Sequence, residues 1–373
     1  MTSDIAPGLL PEGLHDRLPP EAEAAATLLR AVMDATAAHG YERVQPPLAE
    51  FEANLVGRLK STRQQDLLRF VDPVSQRTLA LRPDITAQIG RIATTRMAHV
   101  PRPLRLAYGG AVLKVRGTQL RPEREMTQTG AELIGSDSVA AVTEILGVAL
   151  DALQAAGVTG VSVDLTLPDL VESLAAGPMP VPPEKIAALQ ASLDGKDAAG
   201  LTALGADAYQ PLIAAAGPAD QALKRLRALS AGDALAERLD AVSIIAGSLK
   251  PRATVTLDPT ERHGFEYQSW IGFSLFGEGV PGEIGRGGSY TVVHADGAEE
   301  KAVGFSLYLD PLVNAGLGRT TRRRVFLPLG TDAAVGEKLR AQGWSTVTAI
   351  AQGCDAAKLG CTHRWNGLEA APL

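Results

Sequence analysis

The sequence predicts an α+β protein: a mostly antiparallel sheet with flanking helices, a helical insertion at about residues 168–250, and a small C-terminal β-α-β tail. Three observations point there. Segments such as "PLRLAYGGAVLKV", "REMTQTGAELIG" and "KAVGFSLYL" read as strands, the first two antiparallel across the polar loop "RGTQLRPE". Residues 168–250 are rich in Ala and Leu, hold few β-branched or aromatic residues, and read as several helices. After the basic run "GLGRTTRRR", the stretch "VFLPLG…DAAVGEKLRAQGW…TVTAIA" forms one β-α-β unit, too small for a large active site. A chain of 373 residues exceeds the size at which one core stops growing. The expected division is a large domain over residues 1–320 and a small one over 321–373.

Residues 1–20 carry four prolines and suit an extended arm lying on a core. The Glu/Ala-rich run from Glu21 to His39 reads as a helix, with Leu28, Leu29, Val32 and Met33 on one face and Gly40 as its stop. "YERVQPPL" is a short strand ended by Pro46 and Pro47. "RTLALR" is a strand, and "DITAQIGRIATTR" a helix that Asp84 could cap. The strands on either side of "RGTQLRPE" follow, then the amphipathic helix "DSVAAVTEILGVALDALQAAG", closed by Gly157, and the strand "GVSVDLTL". Beyond the insertion, "RATVTLD", "FEYQSWIGFSLFG", "GEIGRGGSYTVV" and "KAVGFSLYL" return to strand character.

Hydrophobic residues make up 45% and charged residues 21%, which suits a globular protein with a sizeable core. Net charge is −6, opposite in sign to a dedicated nucleic-acid binder, so no nucleic-acid partner is expected. Two cysteines, Cys354 and Cys361, cannot make a disulfide framework and fit a reducing compartment. The N-terminus lacks a basic region followed by an apolar core, and no apolar run approaches the ~18 residues of a membrane span. A cytoplasmic protein with no membrane partner is expected.

Several motifs have ordinary explanations. Gly277, Gly279 and Gly282 in "GEGVPG" match G-x-G-x-x-G, but strands flank them on both sides, so a hairpin loop is expected rather than a dinucleotide site. Cys354, Cys361 and His363 supply three ligands where a structural zinc needs four, and no metal is expected. Arg322, Arg323 and Arg324 read as a solvated linker.

The central strands say more. In "MTQTGAELIG" the side chains alternate, so Gln128, Gly130 and Glu132 share one face and Thr127, Thr129 and Leu133 the other. Gln128 and Glu132 lie about 13 Å apart along the strand, with Gly130 leaving open space between them. This face could be a pocket for a ligand with a donor at each end. It could equally be a solvated sheet face, or Glu132 could pair with an arginine. Asp84 and Thr86 fit a helix cap and first turn. Tyr267 and Tyr290, on separate strands, would each pass as core.

Six ordered segments over roughly residues 8–315 resemble histidyl-tRNA synthetase, a class II aminoacyl-tRNA synthetase: "GYERVQPPLAEF", "LRPDITA", "YGGAVLKVRGTQLRPEREMTQTGAELIG", "HGFEYQ", "GRGGSYT" and "AVGFSLYLDPL". The resemblance implies a class II synthetase-like sheet and a retained histidine pocket. Asp84, Thr86 and Gln128 match positions that grip the amino group, Glu132 and Tyr267 positions that bind the imidazole, and Tyr290 another wall. It also implies that the ATP machinery is lost. The motif 2 arginine position holds Lys114, and the Glu–Arg of that loop is replaced by Arg116 and Gly117. The arginine before the "HGFEYQ" element becomes His263, with Arg262 beside it. Pro311, after Asp310, stands at the motif 3 arginine. Arginine grips phosphate as a bidentate fork that lysine does not reproduce. No catalytic residue and no cofactor are therefore expected.

With the pocket kept, the cations gone and no long anticodon-binding domain, the chain is similar to the regulatory subunits of ATP phosphoribosyltransferase. This synthetase-like family occurs in bacteria with a short catalytic subunit. The likeness implies a non-catalytic chain that activates the short-form catalytic subunit in the first step of histidine biosynthesis and mediates feedback inhibition by histidine as effector. It implies a homodimer within a hetero-oligomer, expected to be a hetero-octamer. The alternatives are a histidine-activating ligase with Lys114, Arg116 and Arg262 as substitute cations, and a tRNA-binding sensor.

Overall fold

A computed structural model describes residues 8–55, 67–117, 122–229, 232–262 and 268–373. The chain forms two compact units, Met1–Gly318 and Arg319–Leu373.

Helix α1 (Glu21–Ala38) buries Leu28, Val32 and Met33 of the expected stripe, with Leu29 half-buried, and is followed by Gly40, whose φ of 79° is open to glycine without strain. Strand β1 (Glu42–Arg43) stops short of the prolines. A small sheet follows from β2 (Ala49–Phe51), then α2 (Glu52–Leu55), β3 (Arg69–Val71) and β4 (Thr78–Leu81), paired in the order β2-β4-β3. Helix α3 (Thr86–Thr95) leads to the long hairpin of β5 (Leu104–Leu113) and β6 (Glu125–Ile134). Helix α4 (Val139–Ala155) starts where the Ser138 hydroxyl accepts the Ala141 N–H. Its Val142, Ile145, Leu146 and Leu153 are fully buried, each worth about 1.5–3 kcal/mol of apolar transfer. Strand β7 (Ser162–Thr166) comes next.

The insertion comprises α5 (Leu170–Ala176), α6 (Ile186–Asp194), α7 (Ala198–Ala203), α8 (Gln210–Ala214), the short β8 (Gly217–Pro218), α9 (Ala219–Arg227) and α10 (Asp233–Leu249). Strands β9 (Thr254–Asp258), β10 (Gln268–Gly277), β11 (Val280–Val293) and β12 (Glu299–Tyr308) and helix α11 (Leu309–Asn314) complete the unit. The described strands make a nine-stranded sheet, β1-β5-β6-β12-β11-β10-β7-β9-β8. It is antiparallel through its centre and parallel at β1/β5 and β7/β9. A parallel pair needs a crossover connection, and the insertion is that crossover between β7 and β9. Its Leu189, Leu193, Leu212 and Leu239 share one core with α1 and α4.

The two faces of the sheet differ. Odd-numbered residues such as Leu133, Phe305 and Phe273 pack into the core beneath α1, α4 and the insertion. Even-numbered residues such as Leu106, Tyr108, Ile134 and Tyr290 pack with Ile85 and Ile89 at α3. The glycine-rich stretch "GEGVPG" is the β10–β11 hairpin turn, with Gly279 at a φ of 74°.

The C-terminal unit corrects the sequence reading. Strand β13 (Arg324–Leu327), helix α12 (Ala333–Ala341) and strand β14 (Ser345–Thr348) form the expected β-α-β unit, but β15 (His363–Trp365) and β16 (Ala370–Pro372) extend it to a sheet ordered β14-β13-β15-β16. Strands of three residues are too short to display an alternation. The basic run is not wholly linker: Arg324 opens β13, and the Arg323 guanidinium lies 4.5 Å from the ring centre of Trp344. Cys361 is buried, Cys354 partly so, and both are free thiols.

Candidate functional site

Strand β6 lies between β5 and β12, so each residue of its Gln128–Gly130–Glu132 row has a neighbour on both sides. On β5 these are Gly110, Tyr108 and Leu106, and on β12 Tyr308, Ser306 and Gly304. The open space expected at Gly130 is filled. Tyr108, directly opposite, lays its phenol over the glycine. A Cβ at position 130 would overlap the Phe305 carbonyl oxygen and stand 2.8 Å from the Tyr108 hydroxyl oxygen. An aromatic ring packed over a cross-strand glycine uses room that any side chain would remove. Gly130→Ala is therefore expected to destabilise the protein by about 3 kcal/mol, because a backbone carbonyl cannot move aside. A lower urea midpoint checks this, and an unchanged one would contradict the close approach.

The Tyr108 hydroxyl donates to Glu132 Oε1 at 3.1 Å and lies 2.8 Å from Ser306 Oγ and 3.3 Å from Thr86 Oγ1. Ser306 Oγ also accepts from Gln128 Nε2 at 2.8 Å. The same Gln128 amide nitrogen donates to Asp84 Oδ2 at 2.7 Å, while Gln128 Oε1 accepts the Ile85 N–H at 2.9 Å. Asp84 Oδ1 accepts the Thr86 N–H at 2.7 Å. Asp84 thus satisfies the first N–H of α3 from one position before the N-cap, which is Ile85. At the other end, the Tyr290 hydroxyl donates to Glu132 Oε2 at 2.8 Å.

Gln128, Glu132 and Thr86 are buried, and Asp84 is partly so. Burial pushes the Glu132 carboxyl up to about 8, with the Asp84 charge adding to the rise and the Tyr290 and Tyr108 hydroxyls opposing it. Burial likewise raises Asp84, opposed by its bonds from Gln128 and Thr86. Tyr108 is raised by burial and by the facing Glu132.

The structure brings Asp84, Thr86, Gln128, Glu132 and Tyr290 into one hydrogen-bonded row. Tyr267 and His263 lie outside the described residues. Tyr108 and Ser306, which link the two ends of the row, were not singled out in the sequence. The arrangement offers acceptors for an ammonium at Asp84 and, at Glu132, a carboxyl that can bond a ring nitrogen.

At the position where the resemblance would place a phosphate-binding arginine, Asp310 and Pro311 lie in the first turn of α11. The Asp310 carboxylate pairs with Arg17 of the N-terminal arm and accepts the Thr127 N–H at 2.8 Å. The adjoining groove of about 510 Å³ is lined by Pro122, Glu123, Met126, Glu283, Tyr308 and Pro311. Arg262, one of the expected substitute cations, pairs with Glu172 of α5 at 3.4 Å.

The family model described as histidyl-tRNA synthetase matches residues 13–312. A protein of Paramagnetospirillum magneticum named ATP phosphoribosyltransferase regulatory subunit is 44% identical, over 98% of this chain and 97% of its own length. This chain belongs to the ATP phosphoribosyltransferase regulatory subunit family. A further relative of that name, from Gluconobacter oxydans, is 38% identical over 98% of this chain and 97% of its length. Among solved structures, an ATP phosphoribosyltransferase regulatory subunit/histidyl-tRNA synthetase from Bacillus halodurans superposes with a TM-score of 0.79 at 22% identity, covering 95% of this chain and 96% of that one. Histidyl-tRNA synthetase from Nostoc sp. PCC 7120 gives 0.76 at 16%, covering 96% and 90%. At such identities the two structures speak for the class II synthetase-like fold. No helix among the described residues is long and apolar enough to cross a membrane.

Proposed function

We propose that this chain activates the short-form catalytic subunit of ATP phosphoribosyltransferase in the first step of histidine biosynthesis, and that histidine bound to it inhibits the complex. The buried row from Asp84 to Glu132 carries the reading, because its two ends complement the two polar ends of free histidine. Asp84, Gln128 and Thr86 hold the ammonium, Glu132 with Tyr267 the imidazole, and Tyr290 walls the ring. A carboxyl matched to a ring nitrogen rejects apolar isosteres, which would leave it unpaired. Feedback requires histidine to bind the active and inhibited arrangements with different affinity. The chain works in the cytoplasm as a homodimer within a hetero-oligomer, a hetero-octamer in the simplest assembly.

The test is the phosphoribosyl transfer rate of the catalytic subunit without this chain, with it, and with histidine added. The expected result is activation that histidine reverses. Activation without a histidine response would remove the effector role, and no effect on rate would overturn the proposal.

A further inference from the structure

Gly272 on β10, Gly288 on β11 and Gly304 on β12 stand in register beside Glu132 on β6, so one cross-strand row of the sheet carries no Cβ at three neighbouring positions. Glycines so placed mark where another group approaches the backbone closely. Two polar side chains lie over this floor. Glu132 covers Gly304, where a Cβ would overlap its Oε2. Gln268 comes from the other end: a Cβ at Gly272 would overlap its Oε1, and one at Gly288 would stand 3.0 Å from its Cδ. The Gln268 amide donates to the Gly287 carbonyl at 2.7 Å. Between the two side chains remains a gap of about 10 Å³, bounded also by Thr86, Tyr290 and Ser306. That is room for one water, far less than an imidazole ring needs.

One of the two side chains must give way to a ligand. Glu132 is only 1% exposed and accepts from both Tyr108 and Tyr290. Gln268 is partly exposed, stands at the first position of β10, and precedes a register shift between Gln268 and Gly272 that loosens the pairing there. We propose that the Gln268 side chain occupies the ring end of the effector trough in the unliganded chain, and that histidine binds by displacing it from Gly272 and Gly288. This rests on the effector reading above and adds a device that sets its threshold. Apparent affinity falls with the fraction of chains in which the trough is filled.

Calorimetric titration of histidine into the full chain, alone and with the catalytic subunit, tests this with Gln268→Ala and Gln268→Ser. Both variants should bind histidine about threefold to tenfold more tightly than the parent, the range expected for removing one competing buried hydrogen bond. Inhibition of the complex should set in at correspondingly lower histidine. Unchanged or weaker binding in both variants, with the parent binding normally, overturns the displacement and makes Gln268 a wall or a direct contact. If neither parent nor variants bind histidine in either setting, the effector reading itself fails and the displacement falls with it.

Discussion

Glu132→Gln is expected to stabilise the protein at alkaline pH by about 5 kcal/mol while leaving it near parental stability at pH 4.5 and below. The folded state holds the Glu132 proton up to about pH 8, against an ordinary value of 4.5. Folding therefore binds this proton more tightly than the unfolded chain does. The contribution to stability is fully present below pH 4.5, declines as pH rises, and is lost as pH passes 8. Glutamine has the size of the protonated acid and no charge to desolvate, so it removes the decline. Urea midpoints of parent and variant at pH 5 and pH 9 check this. A gap between them that does not widen with pH would mean that Glu132 is already ionised in the folded chain.

Glu132→Ala should weaken histidine binding by about a hundredfold, the scale of removing a buried, charge-capable hydrogen-bond partner from a polar ligand. The readouts are a calorimetric titration and the histidine concentration that halves the rate of the complex, with circular dichroism to establish that the variant is folded. Inhibition at the parental histidine concentration would place the effector elsewhere and leave the Asp84–Glu132 row with a purely structural task.

How much of this was legible in the sequence depends on the range of the interaction involved. The alternation in "MTQTGAELIG" put Gln128, Gly130 and Glu132 on one face because the period of a strand is local. Tyr108 lies in the neighbouring strand, and its place over Gly130 depends on the β5–β6 register, which alternation within one strand does not fix. Ser306 and the three floor glycines needed the order of four strands, a long-range property. The Asp84 carboxylate was expected as a cap and does satisfy an α3 N–H, one residue earlier than the usual position. The insertion was legible as helices, but its role as the β7–β9 crossover was not, since periodicity reports an element and not its neighbours. Strands β15 and β16 were hidden for another reason, since three residues are too few to show an alternation.

The cluster at the start of α11 bears on whether the chain could be turned back into a synthetase. An arginine placed at position 311 would stand next to a carboxylate, whose negative charge disfavours a phosphate at this end of α11. Removing Asp310 instead would take the carboxylate partner from Arg17 of the arm and the acceptor from the Thr127 N–H, which now share its two oxygens. Because the arm holds the carboxylate that would face a cation at 311, residues as distant as 17, 310 and 311 are coupled and are expected to have non-additive effects when changed. The arm thus acts as a latch on the start of α11, and a laboratory attempt to build a phosphate site there would have to begin with Arg17 rather than with position 311.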